Sequence, residues 1–245
     1  MADRLDLASA AERLAEAVRQ QQTFAFVRVG DGEAMLLDPM ANSARYPNLG
    51  PYHSVTANRL KYAVLAADLV GVQQRRDGEF ERIEDVAALV RHEQCDADIW
   101  YRLEPAAIAE LLNPSSFRTI PWHIVTRRRD IPASVMNLCG IDGVITCPDT
   151  HAAHHYSEVM KLVRSTMEER GVRGVLCAAG PLGTIMPPRI VEEFGVPSFD
   201  IGGLADVWAM HKTRSIIGEL GLIEKWREFL GAHDQDRADS IPSVS

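Results

Sequence analysis

Phe26-Val27-Arg28-Val29-Gly30-Asp31-Gly32-Glu33 runs an apolar, β-branched strand directly into two carboxylates separated and preceded by glycine. Two readings of the acidic pair stand. Carboxylates one residue apart, on a backbone freed by glycine, bring hard oxygen ligands to one side of a tight turn, as Mg²⁺ or Mn²⁺ requires. In the other reading, Asp31 caps a helix opening at Ala34 and Glu33 sits in its first turn, where the dipole favours negative charge. Arg28, just before the pair, needs a partner if buried, and a carboxylate of the motif or a phosphate would serve.

Outward from this stretch the chain alternates apolar strands with amphipathic helices, the order of an α/β sheet. Strands are expected at 24–29, 69–72, 123–126, 144–147, 175–179 and 198–201. Helical patterns lie at 59–67, 83–90, 105–112, 154–169 and 187–194. A first helix is expected to open on a Ser9–Glu12 capping box, with Leu7, Ala11, Leu14, Ala15 and Val18 on one face. Several strands are continuous apolar runs instead of alternating ones, which suits a Rossmann-like, mostly parallel sheet with helices on both faces.

In such a sheet ligands sit outside the carboxyl ends of the strands, where strand order reverses. The polar residues that follow the strands should then converge: Asp31 and Glu33, Arg127-Arg128-Arg129, Asp149 and His151, Gly180 with Gly183, and Asp200. The arginines suit a diphosphate through charge and fork geometry, or form a solvated run. Gly180-Pro181-Leu182-Gly183 either lets a phosphate or sugar approach the backbone or makes a plain strand-to-helix turn. Asp200 accepts from sugar hydroxyls, acts as a base, or caps a turn. His151, His154 and His155 invite a metal reading, but the acid of a zincin motif is absent, and His151 reads more readily as a polar contact near the site. The segment Pro39–Ser54 reads as a long loop with Tyr46, Tyr52 and His53 available for stacking.

Composition bounds the function. The chain has 245 residues, 24% charged and 46% hydrophobic, as an ordinary globular protein does, and a net charge of -8 argues against a broad nucleic-acid surface. No apolar run approaches the ~20 residues of a membrane span and the N-terminus lacks a signal-peptide core, so a cytoplasmic setting is expected. Cys95, Cys139, Cys147 and Cys177 are scattered, which favours reduced, buried thiols. One α/β domain over 1–230 is expected, followed by a polar, mobile tail over 231–245. Trp208, Trp226 and the apolar stripe Ile216, Leu220, Leu222, Ile223, Leu230 read as core or as a homodimer surface.

Arg28-Val29-Gly30-Asp31-Gly32-Glu33 resembles the Arg-x-Gly-Asp-Gly-Glu signature of the GT-D glycosyltransferases. Ala67-Asp68-Leu69-Val70-Gly71-Val72 is similar to a mid-chain strand of that family. Ile145-Thr146-Cys147-Pro148 with His151-Ala152 and Tyr156, Ala179-Gly180-Pro181 and Phe199-Asp200-Ile201-Gly202 follow in the same order. The resemblance implies a GT-D fold and transfer of a sugar from a nucleotide-diphosphate donor to a glycan, protein or small-molecule acceptor. It also implies Mn²⁺ or Mg²⁺ held by Asp31 and Glu33. Arg28, Gly30, Gly32, Arg127, His151 and Gly180 are the candidate donor contacts, and Asp200 and Asp206 the candidate bases. One departure stands out: Gly203 occupies the position where the family pattern Asp-x-Gly-His leads one to expect histidine. A metal-dependent phosphoesterase and a non-catalytic nucleotide-binding domain are the competing readings.

Overall fold

The computed structural model describes residues 3–37, 52–73, 90–115, 120–148, 152–211 and 215–239. Seven strands form one sheet: β1 (Ala25–Val29), β2 (Leu69–Val72), β3 (Glu93–Asp96), β4 (Trp122–Thr126), β5 (Ile141–Thr146), β6 (Gly174–Ala178) and β7 (Ser198–Asp200). Their spatial order is β3-β2-β1-β7-β6-β4-β5, and every pairing is parallel. The sheet and its flanking helices are the α/β architecture expected, with six of the seven strands lying where the apolar runs placed them.

β3 is the strand the sequence conceals. Glu93-Gln94-Cys95-Asp96 contains no apolar run, because it lies at the sheet edge and its first two residues are only half-buried. The N-terminal segment covers this edge: Gln94 N–H donates to Asp3 O at 2.8 Å and Leu5 N–H to Gln94 O at 2.7 Å. An edge strand so covered no longer offers unpaired backbone groups to another chain.

Adjacent residues of one strand feed different cores, as the two-residue period of a strand demands. Phe26, Trp122, Ile124 and Phe199 join a cluster with Leu14, Trp100 and Trp226. Val125, Val175 and Cys177 join another with Val159, Val163 and Met186, while Val27, Val29 and Val70 pack with Val64. The first face is covered by α1 (Leu7–Arg19), α4 (Ile99–Arg102), α5 (Pro105–Leu112) and α6 (Ala133–Leu138), together with α9 (Leu204–Trp208), α10 (Ser215–Glu219) and α11 (Leu222–Asp239). The second is covered by α3 (Tyr52–Ala66), α7 (Tyr156–Arg170) and α8 (Pro181–Phe194). Trp208 and Trp226 meet edge to face at 5.9 Å inside the first core, so both belong to the core.

Several boundaries differ from expectation for local reasons. The helix α1 is capped by Asp6, whose carboxylate accepts from Ser9 N–H at 2.8 Å, and not by a Ser9–Glu12 box. Its buried stripe is accordingly Ala10, Leu14, Ala17 and Val18, with Leu7 exposed. α8 starts at Pro181 in place of 187, with Pro181 in the first turn and Pro187 and Pro188 taken inside it, both buried. α11 continues through Asp239, past the break expected at Gly231. The helix expected over 83–90 lies, Val90 apart, outside the described residues, as does the loop over 39–51; Tyr52 and Ser54 already belong to α3. All four cysteines are free and buried, and burial pushes the Cys95 thiol up to about 12. No helix among the described residues is long and apolar enough to cross a membrane.

His123 on β4 is 1% exposed, and neither ring nitrogen has a hydrogen-bond partner among the described residues. Its ring fills the space that Gly143 leaves open on β5, where a Cβ would stand 2.6 Å from Nε2. Burial holds this imidazole below its ordinary value of 6.5, with Arg170 acting in the same direction and Asp142 against it. The unfolded chain therefore binds a proton near pH 6.5 that the folded chain refuses. The stability this contributes is complete above that pH and is lost as pH falls below it. His123→Leu is expected to reduce the drop in Tm between pH 7 and pH 5 relative to the parent, measured by thermal denaturation across that range.

Candidate active site

β1 and β7 are neighbours in space and far apart in the chain. From β1 the chain winds outward to β2 and β3; β7, β6, β4 and β5 make the other half. The crevice beyond their carboxyl ends is the switch point of the sheet. Arg28, Gly30, Glu33, Gly180, Thr184, Asp200 and Gly202 line a cleft there of about 20 Å³, room for one ion or water. Residues following β1, β6 and β7 thus do converge.

The turn after β1 opens α2 (Asp31–Leu37) directly at Asp31, three residues before the start at Ala34 expected of a capping aspartate. Glu33 lies in the first turn and its Oε2 accepts from Gly30 N–H at 3.2 Å, as a glutamate at the third helical position does in a capping box. Gly32 also lies in this first turn. The side-chain placement of Asp31 lies outside the described residues, as do Asp149 and His151.

Arg28 is 7% exposed, and a guanidinium so buried must be paired. Its Nε donates to the Ala97 carbonyl, its Nη2 lies 3.7 Å from Asp98 Oδ1, and its guanidinium sits over the Tyr101 ring at 5.1 Å. Burial works to lower its pKa, but Tyr101, Asp200, Asp98 and Glu33 together outweigh this and hold it above its ordinary value. Gly202 makes the arrangement possible. It adopts φ +52, and a Cβ on it would lie 1.5 Å from Arg28 Nη1.

Asp200 ends β7 with its carboxylate buried. Gly202 N–H donates to Oδ1 at 2.8 Å and Thr184 Oγ1 lies 2.8 Å from Oδ2. Burial pushes this carboxyl above the ordinary carboxylate range, while the Arg28 charge and the hydrogen bonds of Thr184 and Gly202 pull the other way. α4 supports the site from beneath: Trp100 Nε1–H donates to the Asp200 carbonyl at 2.9 Å, and Gly203 N–H donates to Tyr101 Oη at 2.8 Å.

Arg127 and Asp206 are brought to each other and do not line the cleft. Asp206 Oδ1 lies 2.6 Å from Arg128 Nε and 3.6 Å from Arg127 Nη2, tying the loop after β4 to α9. His155 Nδ1 faces Glu158 Oε2 at 2.7 Å on an exposed surface. Among the described residues, which exclude the Asp31 side chain, no three His, Cys, Asp or Glu side chains come together as a metal cage. Thr184, Asp98 and Tyr101 went unread in the sequence. Thr184 lies within an unbroken helix turn with no motif spacing, and Asp98 and Tyr101 follow the strand that has no apolar signature.

In an open parallel sheet, ionisable groups gathered at the switch point stand where ligands bind. The family model of a GT-D fold-like domain matches residues 5–208. The chain belongs to that family. Three solved structures share the fold. "A New Glycosyltransferase (DUF1792) from Streptococcus sanguinis" is 16% identical with a TM-score of 0.59, over 84% of this chain and 83% of that one. A structure titled as the highly conserved domain of unknown function 1792 with a distinct glycosyltransferase fold is 15% identical, TM-score 0.57, over 84% and 79%. A selenomethionine-substituted structure of domain of unknown function 1792 is 14% identical, TM-score 0.58, over the same shares. No curated protein matches the chain.

If Gly202 exists to admit Arg28, the two positions are energetically coupled. Gly202→Ala is expected to destabilise the protein by on the order of 3 kcal/mol, from left-handed strain and overlap together. Chemical denaturation of the double-mutant cycle should show a smaller penalty in an Arg28→Ala background.

Proposed function

We propose that the protein is a metal-dependent glycosyltransferase that moves a sugar, of hexosyl type, from a nucleotide-diphosphate donor to an acceptor hydroxyl. One observation carries the reading: a buried guanidinium and a buried carboxylate meet a glycine-flanked acidic turn at the switch point of a GT-D fold-like sheet. The solved structures with this fold include one titled a glycosyltransferase, which supports the same chemistry here.

Asp31 and Glu33 are proposed to hold Mn²⁺ or Mg²⁺. Two carboxylates are the hard oxygen donors such ions take, and the cleft beside Glu33 has the volume of one ion. A divalent ion there would supply charge to the leaving diphosphate. Arg28, lining the cleft and fixed by Ala97, Asp98 and Tyr101, would offer diphosphate oxygens a charge already held in place, so that little reorganisation accompanies their change in charge. Gly30 and Gly180 keep the cleft walls free of side chains. Asp200 is the base of this reading, since its carboxyl lines the cleft and burial makes it more proton-hungry than an ordinary aspartate. Asp206 is assigned a holding role, its charge being engaged by Arg128 and Arg127. Arg127, with its guanidinium partly exposed, and His151 are kept as outer donor contacts. The α/β domain, with α11 running on through Asp239, is proposed to act as one cytoplasmic unit that pairs with a second copy.

Thermal shift with a panel of nucleotide sugars, with and without Mn²⁺, tests this. A donor at a hundred times its Kd stabilises the folded form by about 2.7 kcal/mol. The stabilisation should require the metal and should vanish in Asp31→Asn without loss of fold. A shift that survives Asp31→Asn removes that residue from the site. Asp200→Asn should keep the donor shift and lower turnover on an accepted substrate by roughly 10²–10⁴-fold.

A further inference from the structure

Thr184 is 1% exposed in the first turn of α8, and its Oγ1 lies 2.8 Å from Asp200 Oδ2 and 3.0 Å from the Arg28 carbonyl oxygen. A threonine hydroxyl has one proton to give and two lone pairs to receive. The β1–β7 register runs Ala25↔Ser198 and Phe26↔Phe199, so the Arg28 carbonyl stands two residues past the last of those pairs and takes its hydrogen bond from a side chain. Both acceptors therefore look to the same proton.

The two protonation states of Asp200 divide that proton differently. With Asp200 ionised, Thr184 donates to the carboxylate, and the Arg28 carbonyl receives at most a bifurcated share. With Asp200 protonated, its carboxyl O–H donates to Thr184 Oγ1, and the threonine proton turns wholly to the Arg28 carbonyl. Gly202 N–H serves Oδ1 in both states. The hydroxyl changes direction and no heavy atom moves.

Resting on the reading of Asp200 as the acceptor-side base, we propose that Thr184 is a positioning residue of the transfer site. Its hydroxyl follows the Asp200 proton, turning from the carboxylate to the end of β1 when the acceptor's proton neutralises the base. In the transfer step the acceptor O–H bond breaks and its proton goes to the Asp200 carboxylate. The freed electron pair forms the new bond to the anomeric carbon, and the bond from that carbon to the diphosphate oxygen breaks with its pair leaving on the diphosphate. Thr184 loses no atom and gains none; it supplies the acceptor for the new carboxyl O–H at no cost in unpaired groups.

The groups facing Asp200 are few. Arg28 comes from β1, with Asp98, Tyr101 and Glu33 ranged about the same guanidinium. Cys177 comes from β6, its thiol kept protonated by burial. Thr184 is the hydroxyl among them within hydrogen-bond distance of the Asp200 carboxyl, and its hydrogen bond favours the ionised form.

The test is the titration of the Asp200 carboxyl carbon by ¹³C NMR in the full chain, its signal assigned by its disappearance in Asp200→Asn. Thr184→Val removes the hydroxyl at nearly constant shape and should raise the Asp200 midpoint by about one pH unit. Thr184→Ser restores the hydroxyl and should return the midpoint to within a few tenths of a unit of the parent. Thr184→Ala carries the same comparison where the valine variant folds poorly. An unmoved midpoint in folded Thr184→Val or Thr184→Ala overturns the proposal, and so does an equal displacement in Thr184→Ser. The titration needs neither donor nor metal, so its failure is distinct from a failure of the donor thermal shift, which alone judges the transferase reading.

Discussion

A buried positive charge at the end of β1 is the constraint to which the rest of the site answers. Removing an arginine from water costs several kcal/mol unless other groups replace the hydration it loses. Here the replacement comes from two separate parts of the chain: the stretch after β3 that supplies the Ala97 carbonyl, Asp98 and the face of Tyr101 in α4, and the Asp200 carboxylate at the end of β7. The two flank β1 from opposite halves of the sheet, so only the assembled sheet stabilises the guanidinium. Gly202 is the steric counterpart, a residue without a side chain where any side chain would collide with Arg28.

The topology explains why these groups meet. β1 and β7 are laid side by side by crossovers that run to opposite halves of the sheet, and neither half can close over the gap at their carboxyl ends. Two opposite charges are therefore held close in a cleft that excludes most water. Each strengthens its partner's ionised form while burial opposes both, which leaves Asp200 more basic than an exposed aspartate and Arg28 still charged.

Much of this was legible in the chain. Apolar runs located six strands because a sheet covered on both faces buries most of its strand residues, and the acidic turn after β1 marked the candidate site through its glycines. What stayed hidden followed a different logic. β3 is polar because it lies at an edge that the N-terminus covers, and missing it also hid Asp98 and Tyr101. α8 absorbs Pro187 and Pro188, so residues that read as a helix start lie inside one, and Thr184 before them went unnoticed. The pairing of Asp206 with Arg127 and Arg128 turned two candidate site residues into a clamp between β4 and α9, a contact across 78 residues that no local spacing encodes.

In the proposed function the acidic turn and the buried arginine together grip a metal-bound pyrophosphate. Crystals soaked with Mn²⁺ and a nucleoside diphosphate, measured at a wavelength where manganese scatters anomalously, test both contacts at once. An anomalous peak is expected between the carboxylates of Asp31 and Glu33, with the diphosphate beside it against the Arg28 guanidinium. Nucleotide bound elsewhere on the sheet, or manganese bound away from both carboxylates, would contradict the proposal.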